Sequence, residues 1–389
     1  YYRKDVELIA IKKGETFMSK FSRTYDEKKM IERLNKIYGL GPKVLECSKI
    51  INGHINDTYN VVIEDEDGKH QSYVFQTVND HVFSDPVKIM NNLKIINSWL
   101  EKNGKKSSCG ILTFLKTAVG TNYIKQPSGG FWRVSKLVEN SKVFDQITDK
   151  NIMRNTGRAF GEFQLQLAGI PLEDFEETIP DFHNTPKRIK TLFEIVKKDP
   201  VARAEECKED IAFFEKNCGY FSTLETLRLE KKIPERVTHN DTKCNNILFD
   251  KTTLEPVMII DLDTIMPGLA AYDYGDAIRC SANYAQEDET DLKKVGLNMH
   301  YFEAFTEGFV TAAKTMLTPN EEKYLALGAP TIAFELASRF LADYLDGDKY
   351  FKIGHPEHNL KRARCQIQLC KDMMRRYDKM CAVVDKYYL

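Results

Sequence analysis

Three polar residues in one short region could together carry out phosphoryl transfer. Asp241 and Asn246 lie five positions apart in the run at residues 239–246, and Asp261 follows after a mainly apolar stretch. At this spacing the carboxylate can meet a substrate hydroxyl and accept its proton. Asn246 and Asp261 offer oxygen ligands, which suit a hard cation such as Mg²⁺. The pattern therefore predicts metal-assisted transfer of a phosphoryl group to a hydroxyl.

The residues around this motif are predicted to form a hairpin. Residues 247–249 and 256–260 are short apolar runs, and the polar residues 250–253 separate them. Such a turn between two β-prone runs is typical of an antiparallel strand pair. The hairpin would bring Asn246 and Asp261 to the same edge. The alternative is that the two polar clusters belong to unrelated loops.

Length, charge and cysteines narrow the class of protein. With 389 residues, the chain can form two domains with substantial cores. Its formal net charge of −1 provides no general attraction for nucleic acid, whose binders carry a basic excess. The nine cysteines are irregularly spaced without a CxxC pair, which predicts reduced and mostly buried thiols. Cys207 and Cys218 could instead pair or bind a metal, although no ligand set lies near them in the sequence.

The sequence lacks the usual signals for membrane insertion. No apolar run reaches the ~18 residues of a membrane span, and residues 1–20 are too charged for a signal peptide. We therefore expect a soluble, cytoplasmic monomer without a membrane partner. No function is assigned to the first segment, because the sequence begins with Tyr1 rather than Met.

The segment before residue 139 has the pattern of a small β lobe. Short runs of β-branched and aromatic residues, bounded by turn residues, predict five strands. They lie at residues 44–51, 54–64, 71–78, 111–116 and 131–137. A helix is predicted at residues 85–102, with Pro86 in its first turn. Three strands, a helix and two strands are the arrangement of the small lobe in protein-kinase-like folds.

Beyond residue 139 the pattern is mainly helical. Amphipathic helices are predicted at residues 150–167, 201–216, 292–316, 321–344 and 360–387. We therefore predict an α+β, protein-kinase-like fold of two lobes. A small antiparallel β lobe, residues 21–138, would bind nucleotide, and a larger helical lobe, residues 139–389, would carry the catalytic residues. The nucleotide would lie in the cleft between the lobes, where ligand pockets commonly form.

The turn between the first two strands could hold the phosphates of a nucleotide. Gly53, Asn56, Asp57 and Thr58 offer backbone N–H groups and short polar side chains that can donate to phosphate oxygens. The same composition is also that of an ordinary hairpin turn. Lys243 could add positive charge near the γ-phosphate, or pair with a carboxylate at the surface.

A kinase is expected to carry a lysine in its third strand and a glutamate in the next helix, paired to position the phosphates. Here the strand has Gln76, and residues 85–100 contain no glutamate. The intact metal ligands argue against an inactive kinase. Either Gln76 and the preceding polar turn hold phosphate through neutral hydrogen bonds, or a basic residue from elsewhere substitutes.

Several sequence blocks resemble a known family of enzymes. Residues 239–246 and Asp261 resemble the aminoglycoside phosphotransferase and choline kinase superfamily. Five further blocks are similar to the N-acetylhexosamine 1-kinases within it: residues 53–58, 75–79, 182–188, 261–279 and 340–364. The resemblance implies ATP as co-substrate and Mg²⁺ as cofactor. It also implies the anomeric hydroxyl of N-acetylglucosamine or N-acetylgalactosamine as acceptor, and Gln76 belongs to this family's pattern.

Carried over by position, the resemblance assigns roles to individual residues. Asp241 resembles the catalytic base, and Asn246 and Asp261 resemble the metal ligands. Arg339 and Tyr350 resemble residues that touch the sugar, which makes the larger lobe a sugar-binding lobe as well.

Further residues could complete a sugar pocket. His183, Arg188 and Arg279 could supply polar groups for the sugar. The family has an aromatic residue where Cys280 follows Arg279, so we expect a more open pocket in this chain. Such a pocket discriminates strongly when it hydrogen-bonds a substrate group that an analogue lacks.

Structural roles are the alternatives for these residues. Arg339 could pair with Asp343 at helical spacing. Asp273 and Asp276 are interpreted as braces for the catalytic loop, and they could also cap the helix that begins near them. His183 could be an ordinary loop histidine.

Two rival functions follow from the same residues. One is a kinase for another hydroxylated acceptor: another sugar, an aminoglycoside or choline. The last two are cationic, so their sites should contain carboxylates or aromatic rings, whereas the predicted acceptor residues are rich in Arg and His. The other is a nucleotide-binding regulator without turnover.

Overall fold

The structure is a computed structural model, and it describes residues 27–50, 56–79, 83, 85–103, 107–126 and 130–389. Gly53 of the predicted phosphate turn lies outside the described residues. The first residues of the predicted small lobe, 21–26, also lie outside them.

The first lobe is built on an antiparallel sheet. Its elements are α1 Glu27–Tyr38, β1 Lys43–Ile50, β2 Asp57–Glu64, β3 His70–Val78, α2 Pro86–Asn103, β4 Gly110–Ile111, β5 Ile124–Lys125 and β6 Phe131–Lys136. Five of the strands form a sheet in the order β1-β2-β3-β6-β5. Alternate residues of β2, such as Val61 and Ile63, are fully buried against α1, as the period of two in a strand requires.

The prediction for residues 111–116 was wrong in extent and pairing. Only Gly110 and Ile111 form a strand there, and it pairs in parallel with a strand of the other lobe. The edge of the small sheet is instead formed by β5, which the sequence did not predict. Helix α1 was also not predicted, although Ile31, Leu34 and Tyr38 repeat at helical spacing and are buried.

The second lobe is mainly helical. Its elements are β7 Ser141–Lys142, α3 Lys150–Gln166, α4 Thr185–Lys198, α5 Lys208–Phe221, α6 Thr223–Leu229, β8 Arg236–Thr238, β9 Ile247–Asp250, β10 Pro256–Ile259, β11 Met266–Gly268, α7 Ala270–Ser281, α8 Met299–Ala313, α9 Pro319–Leu325, α10 Gly328–Leu345, α11 His358–Arg375 and α12 Tyr377–Tyr388. The predicted α+β fold with a small β lobe and a larger helical lobe is confirmed, and so is the antiparallel hairpin of β9 and β10.

Two predicted helices have different bounds in the structure. The long helix expected at residues 321–344 is two helices, α9 and α10, and at the start of α10 a Cβ on Gly328 would lie 1.9 Å from the carbonyl oxygen of Ala271. This close approach packs α10 against α7 at the centre of the lobe. The helix expected from residue 292 begins only at Met299, where the Asn298 side chain accepts two backbone N–H groups as an N-cap.

Among the described residues, no single helix is both long and apolar enough to cross a membrane. Helices α9 and α10 meet that test only when joined, and they are bent by 57° relative to each other. Five of the nine cysteines are buried, in agreement with the prediction of mostly buried thiols.

Candidate active site

The catalytic segment begins with a buried histidine that fixes the backbone. His239 follows β8, and its ring lies between Phe160 and Phe163 of α3, with ring centroids 5.7 and 5.9 Å away. Its Nε2 lies 2.9 Å from the carbonyl oxygen of Ile260, and its Nδ1 lies 3.3 Å from the backbone nitrogen of Asp241. The carbonyl can only accept, so Nε2 carries the proton and Nδ1 accepts the Asp241 N–H.

Two aspartates of α7 brace the same loop. Asp273 is fully buried and accepts the backbone N–H groups of His239 at 2.9 Å and Asn240 at 2.7 Å. Asp276 accepts the backbone N–H of Thr242 at 3.0 Å. Neither caps α7, whose first turn has no side-chain cap. The bracing interpretation of these aspartates is confirmed by these contacts, and the capping alternative is wrong.

Asp241 is held at the open end of this loop. The side-chain amide of Asn246 donates to the Asp241 carbonyl at 2.7 Å and to its carboxylate Oδ2 at 3.0 Å. Lys243 lies 2.9 Å from the other carboxylate oxygen. Burial alone would raise the pKa of Asp241, but Lys243, His239 and Asn246 outweigh it and hold that pKa below its usual value. The carboxylate is therefore ionised at neutral pH and can accept a proton.

Asn246 and Asp261 offer oxygen atoms to a cation beside Asp241. The backbone N–H of Ile260 donates to the carbonyl of Asn246 at 2.9 Å, so the two ends of the hairpin meet as predicted. The Asn246 Nδ2 faces Asp241, which leaves its Oδ1 for a metal. Asp261 has a left-handed backbone with φ of 58°. The Asp261 side chain is accessible to solvent, yet desolvation by the surrounding protein, followed by the charges of Asp263 and Asp241, raises its pKa to about 6.

This donor set fits a hard divalent cation. A carboxylate such as Asp261, whose pKa is raised by desolvation and by neighbouring negative charges, gains from a positive charge beside it. Within the described ranges, no three His, Cys, Asp or Glu side chains form a metal cluster of their own. A small oxygen set is what Mg²⁺ uses when substrate phosphates supply its remaining ligands.

The small lobe reaches the metal-ligand turn through Asp263. Arg133 of β6 lies 2.6 Å from Asp263 Oδ1, and the side-chain amide of Asn56 donates to Oδ2 at 2.7 Å. Arg133 also donates from Nε and Nη2 to the side-chain oxygen Oε1 of Gln76, at 2.8 and 2.5 Å. Gln76 in turn donates to the Thr58 hydroxyl at 3.1 Å. The polar atoms that the sequence assigned to phosphate are thus engaged with protein groups.

The other predicted nucleotide residues occupy varied positions. Asp57 is exposed and pairs with Lys49 at 2.7 Å. Lys243 is partly exposed and pairs with the Asp241 carboxylate, as the alternative for it predicted, and its role towards the γ-phosphate stays a prediction. Arg133 was missed by the sequence interpretation. Its signal in the sequence was a cation between the apolar residues Trp132 and Val134, and the structure places it directly opposite Gln76 in the sheet.

Arg279 is committed to a structural pair. Its Nε and Nη2 lie 3.0 and 2.8 Å from Asp276 Oδ1, and its Nη1 lies 3.0 Å from Glu287. Because Asp276 accepts a loop N–H, Arg279 supports the catalytic loop from behind. Cys280 follows it, half-buried, and burial raises the pKa of its thiol to about 12 although Arg279 and Lys243 oppose that effect.

The remaining acceptor residues cluster at α4 and α10. The Arg339 guanidinium lies 5.5 Å from the ring centres of both Phe182 and Phe351, rather than beside Asp343. Asp343 instead accepts backbone N–H groups from Tyr350 and its two neighbours in the chain. Tyr350 is 68% exposed. The alternative prediction, an ion pair between Arg339 and Asp343, is therefore wrong, and the Arg339 guanidinium lies against aromatic rings instead.

His183 joins this cluster to the catalytic loop. Its Nε2 lies 3.4 Å from the carbonyl oxygen of Asn240, and its Nδ1 lies 3.0 Å from Glu335. Arg188 donates to the Phe182 carbonyl oxygen at 3.1 Å. Burial, together with the nearby charge of Arg339, lowers the pKa of Arg188. Two arginine side chains thus lie near each other beside the loop that carries Asp241.

A loop of this construction beneath a small antiparallel sheet is characteristic of kinase-like phosphotransferases. Comparison with known families agrees: the chain belongs to the phosphotransferase enzyme family APH, whose family model matches residues 46–305, more than half of the chain. Fold, site and family together define the protein as a phosphotransferase with a kinase-like fold.

Similar solved structures share the architecture over almost their whole length. An aminoglycoside phosphotransferase from Alicyclobacillus acidocaldarius is 12% identical, with a TM-score of 0.59 over 91% of this chain and 96% of that chain. A choline kinase from Cryptosporidium parvum is 14% identical, with a TM-score of 0.57 over 93% and 99%. An amicoumacin kinase solved with AMP-PNP and Ca²⁺ is 14% identical, with a TM-score of 0.56 over 88% and 93%. At these identities the likeness shows the fold.

Proposed function

We propose that the protein transfers the γ-phosphate of ATP to the anomeric hydroxyl of an N-acetylhexosamine, giving the sugar 1-phosphate. N-acetylglucosamine and N-acetylgalactosamine are the acceptors that the sequence blocks imply. The observation that carries the proposal is the ionised Asp241 carboxylate, held by Asn246 on a braced loop beside Asp261. Amicoumacin kinase, solved with an ATP analogue and Ca²⁺, supports ATP and a divalent cation for the same fold.

The residues of the chain do their work mainly by positioning. Asp241 orients the sugar hydroxyl and accepts its proton as oxygen bonds to the γ-phosphorus and ADP leaves. The ion pair with Lys243 keeps Asp241 ionised until the proton is transferred. Asn246 and Asp261 would hold Mg²⁺, which neutralises phosphate charge when it is bound.

We place the acceptor beside the catalytic loop, on the side where Arg339 of α10 lies. Phe182 and Phe351 offer apolar ring faces, and the Arg339 guanidinium between them offers donors for sugar oxygens. Tyr350 is exposed beside them, with its ring packed edge-on against Phe351 at 4.8 Å. Rings and donors in this combination suit a neutral, hydroxyl-rich acceptor.

A cationic acceptor is the second candidate. The cleft that contains His183 and Asn240 is also lined by four carboxylates: Glu177, Asp181, Glu225 and Glu235. Arg228 pairs with two of them and Lys187 with a third, so these two cations balance two of the four negative charges. The neutral acceptor stays the first candidate because of the arginines and aromatic rings around Arg339.

An acceptor panel tests the proposal. ADP release is measured with N-acetylhexosamines, unacetylated hexosamines, hexoses, choline and an aminoglycoside, and ³¹P NMR identifies the phosphorylated hydroxyl. We expect acceptor-dependent turnover with N-acetylhexosamines and phosphate on the anomeric oxygen. Turnover confined to choline or the aminoglycoside would establish the cationic candidate, and nucleotide binding without any turnover would establish a regulator.

A further inference from the structure

The chain lacks both members of the ion pair that positions phosphates in protein kinases. Gln76 stands in the third strand, and residues 85–100 contain no glutamate. We propose that Arg133 and Asp263 replace that pair, with Arg133 acting as a positioning residue that fixes the metal-ligand turn to the small lobe. The inference rests on the proposed phosphoryl transfer and concerns how the two lobes are held for it.

The first argument is the buried position of both charges. The side chains of Arg133 and Asp263 are only 2% and 3% exposed, although they belong to different lobes. A buried charge without its partner is strongly unfavourable, so each needs the other in place. The Phe114 ring lies 4.5 Å from the Arg133 guanidinium and shields it further. The pair therefore forms only when the lobes take this relative orientation.

The second argument is the direction of the hydrogen bonds. The Arg133 Nη1 faces Asp263 in an ion pair across the lobes, while Nε and Nη2 donate to the Gln76 side chain within the small lobe and fix the guanidinium plane. Gln76 lies directly opposite Arg133 in the sheet, where a lysine would bring a second cation. Glutamine there accepts from the guanidinium instead of repelling it. Glutamine at position 76, where protein kinases have lysine, is thus compatible with the arginine at position 133.

The third argument is the place of Asp263 in the chain. It lies two residues after Asp261, and both of its carboxylate oxygens are bonded by small-lobe residues, Arg133 and Asn56. Asn56 is itself fixed by the backbone N–H of Asn79, at 2.9 Å from its side-chain oxygen. Asp263 is therefore engaged as an anchor, which leaves Asp261 as the carboxylate of this turn that would hold a cation. Partners that orient a metal ligand in this way typically change metal affinity 10- to 100-fold when they are mutated.

Replacing Arg133 with an apolar side chain of similar length tests the inference. Arg133→Met is compared with Arg364→Met, which breaks another Arg–Asp pair, to Asp210, between helices of the large lobe. Mn²⁺ affinity is measured by electron paramagnetic resonance without nucleotide, and the Mg²⁺ concentration for half-maximal turnover is measured with any accepted substrate. We expect both to weaken about 10- to 100-fold for Arg133→Met, with turnover partly restored at high Mg²⁺. Arg364→Met should leave both within about twofold.

Two further variants keep the test decisive. If Arg133→Met does not fold, Asp263→Asn removes the same ion pair without removing the arginine and should weaken Mn²⁺ affinity similarly. The swap Gln76→Lys with Arg133→Gln returns the cation to strand three and should recover at least part of the loss seen with Arg133→Gln alone. Unchanged metal affinity in Arg133→Met and Asp263→Asn would overturn the inference. The Mn²⁺ measurement needs no acceptor, so failure of the sugar assignment would leave it intact.

Discussion

At the scale of single residues, the groups around Asp241 keep it both ionised and fixed in position. A neighbouring lysine and a donating amide keep it ionised, and the loop beneath it is anchored to α7. A general base contributes by accepting a proton at the right place, so it must be both charged and fixed. Asp241 meets both conditions before any substrate binds.

Asp241→Asn should therefore lose turnover and keep nucleotide binding. Asparagine retains the shape and the contact with Asn246 but cannot accept the hydroxyl proton. We expect kcat to fall about 10²- to 10⁴-fold, with nucleotide affinity within about threefold of the unmodified protein. Steady-state assays and titration with a fluorescent nucleotide measure the two effects. Asp67→Asn, at an exposed turn of the small lobe, is the control, and retained turnover in Asp241→Asn would remove Asp241 from the base role.

Asp261 predicts a pH dependence of metal binding. Its pKa of about 6 means that protons compete with the cation just below neutrality. Mn²⁺ affinity without nucleotide should stay nearly constant above pH 7 and fall by up to about tenfold per pH unit below pH 6. Paramagnetic resonance titrations between pH 5 and 7.5 measure it. Affinity that does not change over this range would contradict the role of Asp261 as a ligand.

At the scale of elements, close helix contacts hold the aspartates of α7 against the catalytic loop. A Cβ added at Gly275 would lie 2.3 Å from the backbone carbon of Gly328, at the crossing of α7 and α10. The two helices can only approach this closely because neither residue has a side chain. Asp273 and Asp276 lie on either side of Gly275, so this crossing also sets the position of both braces.

Gly275→Ala should thus destabilise the protein and disturb the loop. The added methyl forces the helices apart, at a cost of about 1 to 3 kcal/mol in the free energy of unfolding. Gly219→Ala is the matched control, because its Cβ would meet nothing within 4 Å and alanine is the better helix former. Urea unfolding and turnover measure both variants. Equal free energies of unfolding for Gly275→Ala and the unmodified protein would show that α7 can shift without an energetic cost.

At the scale of the whole molecule, nucleotide and metal are expected to hold the two lobes together. A ligand that binds only the folded protein adds about 2.7 kcal/mol when present at 100 times its Kd. Thermal unfolding with ATP and Mg²⁺ should therefore shift upward, and EDTA should remove part of that shift. In Asp261→Ala the shift should no longer depend on metal. A shift that EDTA leaves unchanged would indicate that nucleotide binds without the cation.

Local sequence patterns predicted much of the architecture. The hairpin of β9 and β10, helix α3 and most of the small sheet were predicted, because alternation and helical spacing are properties of neighbouring residues. The late start of α8 and the break before α10 were not. The start of α8 depends on the Asn298 cap, whose signal was not used, and the packing of α10 against α7 joins residues that are distant in the chain.

The residues of the candidate site were likewise only partly predictable from the sequence. Residue type and spacing alone indicated a proton acceptor at 241 and oxygen ligands at 246 and 261, because a hairpin this short must join its ends. Only the tertiary structure decided that Arg279 is tied to Asp276, and that Arg133 holds Asp263 across the lobes. A buried arginine is matched to a carboxylate by packing, and the one nearest in space can lie 130 residues away in the chain.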